Sequence, residues 1–166
     1  MAVKITTMLL SAQIAKHFRE VFFGGNWTSV NLKDTLKDID WRQASAQVYS
    51  CNTIAKLVFH INYYVSSVLK VLQGGPLDAH DKYSFDLPPV QSEEDWKNLI
   101  TKTFSEAEQF AALIEQLHED KFAETFVDEK YGTYHRNFLG IIEHTHYHLG
   151  QIVIIKKIVL SHQNAS

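Results

Sequence analysis

The chain has 166 residues, 45% of them hydrophobic, which is enough for one packed core and a single domain over residues 1–166. Its 16 basic and 19 acidic residues give a formal charge of −3 with no Lys/Arg block, which excludes the electrostatic footprint of a nucleic-acid-binding surface. No apolar run approaches the roughly 20 residues needed to cross a bilayer. The lone Cys51 cannot close an internal disulfide, so the expectation is a cytoplasmic protein without a membrane partner.

The first predicted helix covers about residues 4–23, with Ile5, Leu9, Ile14, Phe18, Val21 and Phe22 on an apolar stripe that ends at Gly24-Gly25. Because no small-residue cleavage site follows the Met1–Lys16 stretch, it reads as helix and not as a signal peptide. A long connection over 24–51 includes Asn26, Trp27 and Thr28, then Leu32, Leu36 and Ile39 at the spacing of one short helix. Ser50 and Asn52 resemble cap residues, which gives Cys51 a structural setting. The second long helix runs over about 52–73, from Asn52 as N-cap to the stop at Gly74-Gly75-Pro76. A Pro-containing stretch over 74–91 holds Tyr83 and Phe85 and is long enough to form a lid or binding edge. The third long helix covers about 92–119, opened by Ser92 with Asp95 in a capping-box pattern, and the fourth covers about 134–161. The fold class is all-α, an up-and-down four-helix bundle with a long connection between the first two long helices.

The last helix carries the chemistry. His144 and His148 are four residues apart, about 40° around a helix axis, so both rings can converge on one ion from an arc shared with Ile141, Ile152 and Ile155. His60 lies on the apolar face of the second helix with Leu57, Tyr64 and Val68. Three inward imidazoles need partners, because an unpaired buried polar group costs about 1–3 kcal/mol. A metal ion would supply one to each ring and leave coordination positions open. Ordinary packing of the pair stands as the alternative. His146 falls at about 200° on the same wheel and is expected to face solvent, with Glu143 about 100° off the ligand arc and unsuited as a general base. His17, His80, His118, His135 and His162 read as non-ligands, His118 in a last helical turn where it meets the macrodipole.

Together, a mid-helix His60, the element His144-x-x-x-His148-x-Gly150-Gln151 and the entry Gly25-Asn26-Trp27 resemble the DinB superfamily of DinB/YfiT-like metal-dependent hydrolases, over nearly the whole chain. That resemblance implies a bundle, commonly a homodimer, with zinc or nickel on His60, His144 and His148. It also implies a small-molecule substrate and a thiol S-transferase or hydrolase activity, with a low-molecular-weight thiol as a further cofactor in the bacillithiol S-transferase-like case. The ion would supply Lewis acidity to a thiol or to water. Tyr64 and Asn137, on ligand-bearing faces, are candidate substrate contacts, and Gln151 is a candidate hydrogen-bonding partner of a ligand histidine. The alternative is a non-catalytic metal-binding or structural homodimer related to stress or redox state. A second apolar stripe on the last helix, Phe138, Ile142, Leu149, Val153 and Leu160, is expected either to be unusually buried within the chain or to meet a second subunit.

Overall fold

The computed structural model describes residues 8–163 and is all-helical, with no strand among the described residues. Six α-helices follow in order: α1 (Leu10–Phe23), α2 (Leu32–Leu36), α3 (Trp41–Ser45), α4 (Ile54–Leu72), α5 (Glu93–Glu115) and α6 (Tyr134–Gln163). The part of the first-helix expectation that precedes Met8, including Ile5, lies outside the described residues. The four long helices make a closed set of contacts, α1 on α5, α5 on α4, α4 on α6 and α6 on α1. Phe18 and Phe22 from α1, Phe110 from α5, Phe138 and Ile152 from α6, and Ile54 and Ile61 from α4 are fully buried between them. Each such side chain removed from water contributes about 1.5–3 kcal/mol, so this apolar interior sets where the four helices sit.

Helix ends follow capping chemistry. Thr53, one residue past the expected Asn52, caps α4 by accepting from Lys56 N at 3.2 Å, and Ser92 caps α5 by accepting from Asp95 N at 3.1 Å. Asp95 reaches back to Gln91 N at 3.0 Å, one residue before the position a capping box uses. At the end of α4, Gly74 has φ +87 while Gly74 N and Gly75 N donate to Val71 O and Lys70 O, both at 2.9 Å. This paired closure needs the left-handed conformation that glycine adopts without strain. The N-terminus of α1 has no local side-chain cap. Instead the Glu119 carboxylate accepts from Leu10 N at 2.9 Å and Ser11 N at 3.1 Å, across 109 and 108 residues of chain.

The 24–53 connection holds two short helices where one was expected, because Asp40 opens a second with a full capping box to Gln43. Buried Asn26 pins its start, donating to Glu20 O at 2.8 Å and Val30 O at 2.7 Å. Trp96 of α5 and Lys156 of α6 pin its middle by donating to Ile39 O and Thr35 O. Cys51 is exposed in the turn before α4, and Asn52 takes no part in the cap. The expected third helix also stops early, at Glu115. His118 therefore lies beyond a helix end, where it caps the short turn Glu119–Ala123 by accepting from Asp120 N.

The second apolar stripe of α6 is covered within the chain in its first half, while Val153 and Leu160 are half-buried. Phe138, Ile142 and Leu149 are buried, with the Phe138 ring 5.8 Å from Phe110 and 5.7 Å from Phe122. Phe110 of α5 and Phe122 of the 119–123 turn thus cover Phe138 near the start of this stripe. No helix among the described residues is long and apolar enough to cross a membrane.

Candidate metal centre

α4 and α6 pack side by side, and that contact brings His60 of α4 to His144 and His148 of α6. Ring centroids are 4.8 Å apart for His60 and His144, 4.6 Å for His60 and His148, and 4.5 Å for His144 and His148. One ring nitrogen from each lies within 4.8 Å of the other two, an arrangement able to hold a metal ion. His60 and His148 are buried at 6% and 7% exposure, and His144 is half-buried.

Surrounding groups fix two of the rings. His60 Nδ1 lies 3.2 Å from Ser84 O, and since a carbonyl only accepts, Nδ1 carries the proton and Nε2 presents a lone pair. His148 Nδ1 lies 2.7 Å from Gln151 Oε1, which sets the same tautomer. His144 Nε2 then faces His60 Nε2 at 3.0 Å, while His144 Nδ1 is buried without a partner. Without a cation, His144 has two poor choices. A proton on Nε2 leaves a buried lone pair unanswered at Nδ1, and a proton on Nδ1 sets two lone pairs against each other at 3.0 Å. A cation accepts converging lone pairs, and 3.0 Å is a separation that two nitrogens about 2.0–2.1 Å from one ion can have. The residues present therefore fit a divalent ion.

Electrostatics keep His144 and His60 ready for such a role. Burial holds His144 down to about 4, reinforced by repulsion from His148 and then His60. Burial, followed by repulsion from His148, also lowers His60. Unprotonated imidazole is the form that ligates a metal.

The 74–91 connection forms one wall of the site. Phe85 stacks on His60 with centroids 3.8 Å apart and planes 7° from parallel, beside buried Ser84. Tyr64 donates to Asp81 Oδ1 at 2.8 Å, and its ring packs edge-on with centroids 5.2 Å from His60 and 4.9 Å from His144. Burial raises the Tyr64 hydroxyl pKa, with the hydrogen bond to Asp81 adding to it. A cavity of about 760 Å³ opens beside the trio, lined in part by Tyr64, Asn137 and His144. That volume lies within the usual range for small-molecule sites, about 300–1,000 Å³. Both Asn137 Nδ2 hydrogen bonds go to backbone, Tyr131 O at 2.9 Å and Thr133 O at 2.8 Å, so its carboxamide is held at the cavity wall. Gln151 is on another side of the trio, in a cleft with Cys51 and Ile154.

Two outer residues behave differently. Glu143 is exposed and 3.5 Å from Arg136, away from the trio, as expected. His146 is half-buried, not solvent-facing, with its ring 6.4 Å from that of His17 on α1. Burial lowers its pKa, followed by the charge of His17. The wheel of α6 alone could not reveal α1 on that side. Ser84, Phe85 and Asp81 were likewise not singled out as site residues from the sequence, since aperiodic loop residues give no signal of which helix they meet.

A family model described as DinB superfamily matches residues 29–152, a span that includes all three histidines. No curated protein and no solved structure matches the chain.

Proposed function

Because the chain belongs to the DinB superfamily and gathers three histidines beside a cavity, we propose that it is a divalent-metal-dependent enzyme, a thiol S-transferase or a hydrolase. His60, His144 and His148 would hold the ion, zinc or nickel, in an up-and-down four-helix bundle formed by α1, α4, α5 and α6. The single observation that carries this reading is the convergence of one ring nitrogen from each of three histidines with two of the tautomers fixed from outside, by Ser84 O and Gln151. A bound ion supplies Lewis acidity to a thiol or to water.

The protein's own groups do the rest. Ser84 and Gln151 orient the ligand rings, and Phe85 shields the His60 face from water. Tyr64 places a hydroxyl on the cavity side, within reach of a substrate that enters beside His144. Asn137 presents a carboxamide whose amino group is already spent on backbone carbonyls, leaving its oxygen to accept from substrate. A small molecule entering the cavity, cytoplasmic residence and a homodimer complete the proposal, the dimer resting on family membership.

The test begins with metal content of purified protein, then thiol transfer and hydrolysis with and without chelator. Stoichiometric metal with activity lost on chelation supports the enzyme reading. Stoichiometric metal with no activity on a panel of thiols, electrophiles and esters favours the non-catalytic alternative, in which the ion joins α4 to α6.

A further inference from the structure

The cavity beside His144 differs in charge from the rest of the molecule. The chain carries 16 basic against 19 acidic residues, yet the charged side chains lining this cavity are Lys82, Lys130, Arg136 and a single acid, Asp81. They come from three chain segments: the turn Asp81–Tyr83, the turn Glu129–Tyr131 and the first turn of α6. Asp81 is engaged by the Tyr64 hydroxyl at 2.8 Å. Among the described residues neither lysine has a carboxylate within ion-pair distance. Their ammonium groups lie over the rings of Tyr83 and Tyr131, at 4.6 and 4.9 Å from the centroids. Arg136 meets Glu143 at 3.5 Å, with one guanidinium nitrogen, so most of its donors are not committed there.

Gly140 adds a second observation. It lines the same cavity from inside α6, where glycine costs about 1 kcal/mol relative to alanine. A Cβ at that position would stand 3.3 Å from Arg136 Nη1, tighter than ordinary contact. The missing side chain leaves room for the guanidinium along the cavity wall.

We infer that the cavity takes a small molecule bearing an oxyanion, a carboxylate or a phosphate, with that group at Lys82, Lys130 and Arg136 and the remainder directed to His144 and Tyr64. Arginine and lysine on separate segments suit such a group, since a guanidinium supplies a planar fork of donors and the ammoniums add charge. A cavity lined mainly by one sign of charge also raises the local concentration of its counter-charged ligand. This inference rests on the reading of the three-histidine cavity as the active site, and it names the substrate class of that site.

The test uses calorimetric titration of the full chain, stripped of metal by chelator and dialysis, so that an anion cannot bind through an ion. Inorganic phosphate, succinate and the uncharged analogue succinamide are the probes. Phosphate or succinate should bind, more weakly as salt rises, and succinamide should not. Lys82→Ala/Lys130→Ala and Arg136→Gln should each weaken binding about tenfold, while the charge-matched control Lys33→Ala/Lys37→Ala leaves it unchanged. A preference for phosphate or for succinate identifies which oxyanion the cavity takes, and either supports the inference. Succinamide binding as tightly as succinate, no binding of either anion, or equal weakening by the control pair would overturn it. Zinc titration of the same proteins separates the two claims. Zinc uptake without anion discrimination defeats this inference alone, and anion binding by a protein that takes up no zinc when titrated with it defeats the metal reading alone.

Discussion

Gln151→Ala removes the hydrogen bond that fixes the tautomer of His148, and its consequences can be worked from the site. The His148 ring is buried at 7% exposure and donates from Nδ1 to Gln151 Oε1 at 2.7 Å. Without that acceptor the buried N–H is left unpaired, a cost of about 1–3 kcal/mol, reduced towards the lower end because half-buried Gln151 admits water when truncated. The proton can then move to Nε2, the nitrogen left to ligate when Nδ1 is held by Gln151, and an incoming ion would have to displace it. Loss of such an orienting partner lowers metal affinity about 10–100-fold. Gln151→Glu keeps an acceptor of similar length and should retain affinity or increase it. Competition titration of zinc against a chromophoric chelator measures the affinities, and thermal melts confirm that the variants fold. An affinity for Gln151→Ala within twofold of the parent, in a folded protein whose His148→Ala variant binds no zinc, would refute the reasoning.

Other outcomes follow from neighbouring contacts. Phe85→Ala, by deleting the ring stacked on His60, should cost about 2 kcal/mol in melts and speed amide exchange at Ser84 and Phe85. Unchanged exchange would mean that the 74–91 wall does not depend on that stack. Trp96→Phe removes the donor to Ile39 O and leaves a buried carbonyl unpaired, with an expected loss of about 1–3 kcal/mol in urea unfolding. Glu119→Gln weakens the long-range cap of α1. The backbone N–H groups of Ser11 and Leu10 hold the Glu119 carboxyl below its ordinary value, Ser11 contributing most. The stabilisation is therefore present above the ordinary carboxylate range and is lost as pH falls through the lower folded value. The melting-temperature gap between parent and variant should close on acidification. A gap that stays constant from pH 7 to well below about 4 would rule out the charge as its cause.

Much of the site was legible because it obeys helix geometry. His144 and His148 share an arc of one helix, and His60 lies on the apolar side of another, so periodicity turned all three inward and the family resemblance joined them. Helix ends were legible where a local residue closes them, as at Ser92 and Gly74. What escaped was non-local. Glu119 caps α1 from 109 residues away, and no sequence window spans that distance. His146 was set against solvent by the wheel of α6 alone, whereas α1 and its His17 cover that side. The second α6 stripe suggested a partner subunit as one of two outcomes, and the Phe110 and Phe122 rings that cover Phe138 come from elsewhere in the chain. Phe85 and Ser84 belong to an aperiodic connection, where contact with His60 depends on the path of the loop.

The most direct test of the central claim is metal stoichiometry in the parent and in single His60→Ala, His144→Ala and His148→Ala variants, each confirmed as folded. Elemental analysis after equilibration with zinc or nickel and removal of free ion gives the count. The account predicts one ion per chain in the parent and a large loss in every variant. A folded parent that holds no stoichiometric metal, or variants that hold as much as the parent, would contradict it.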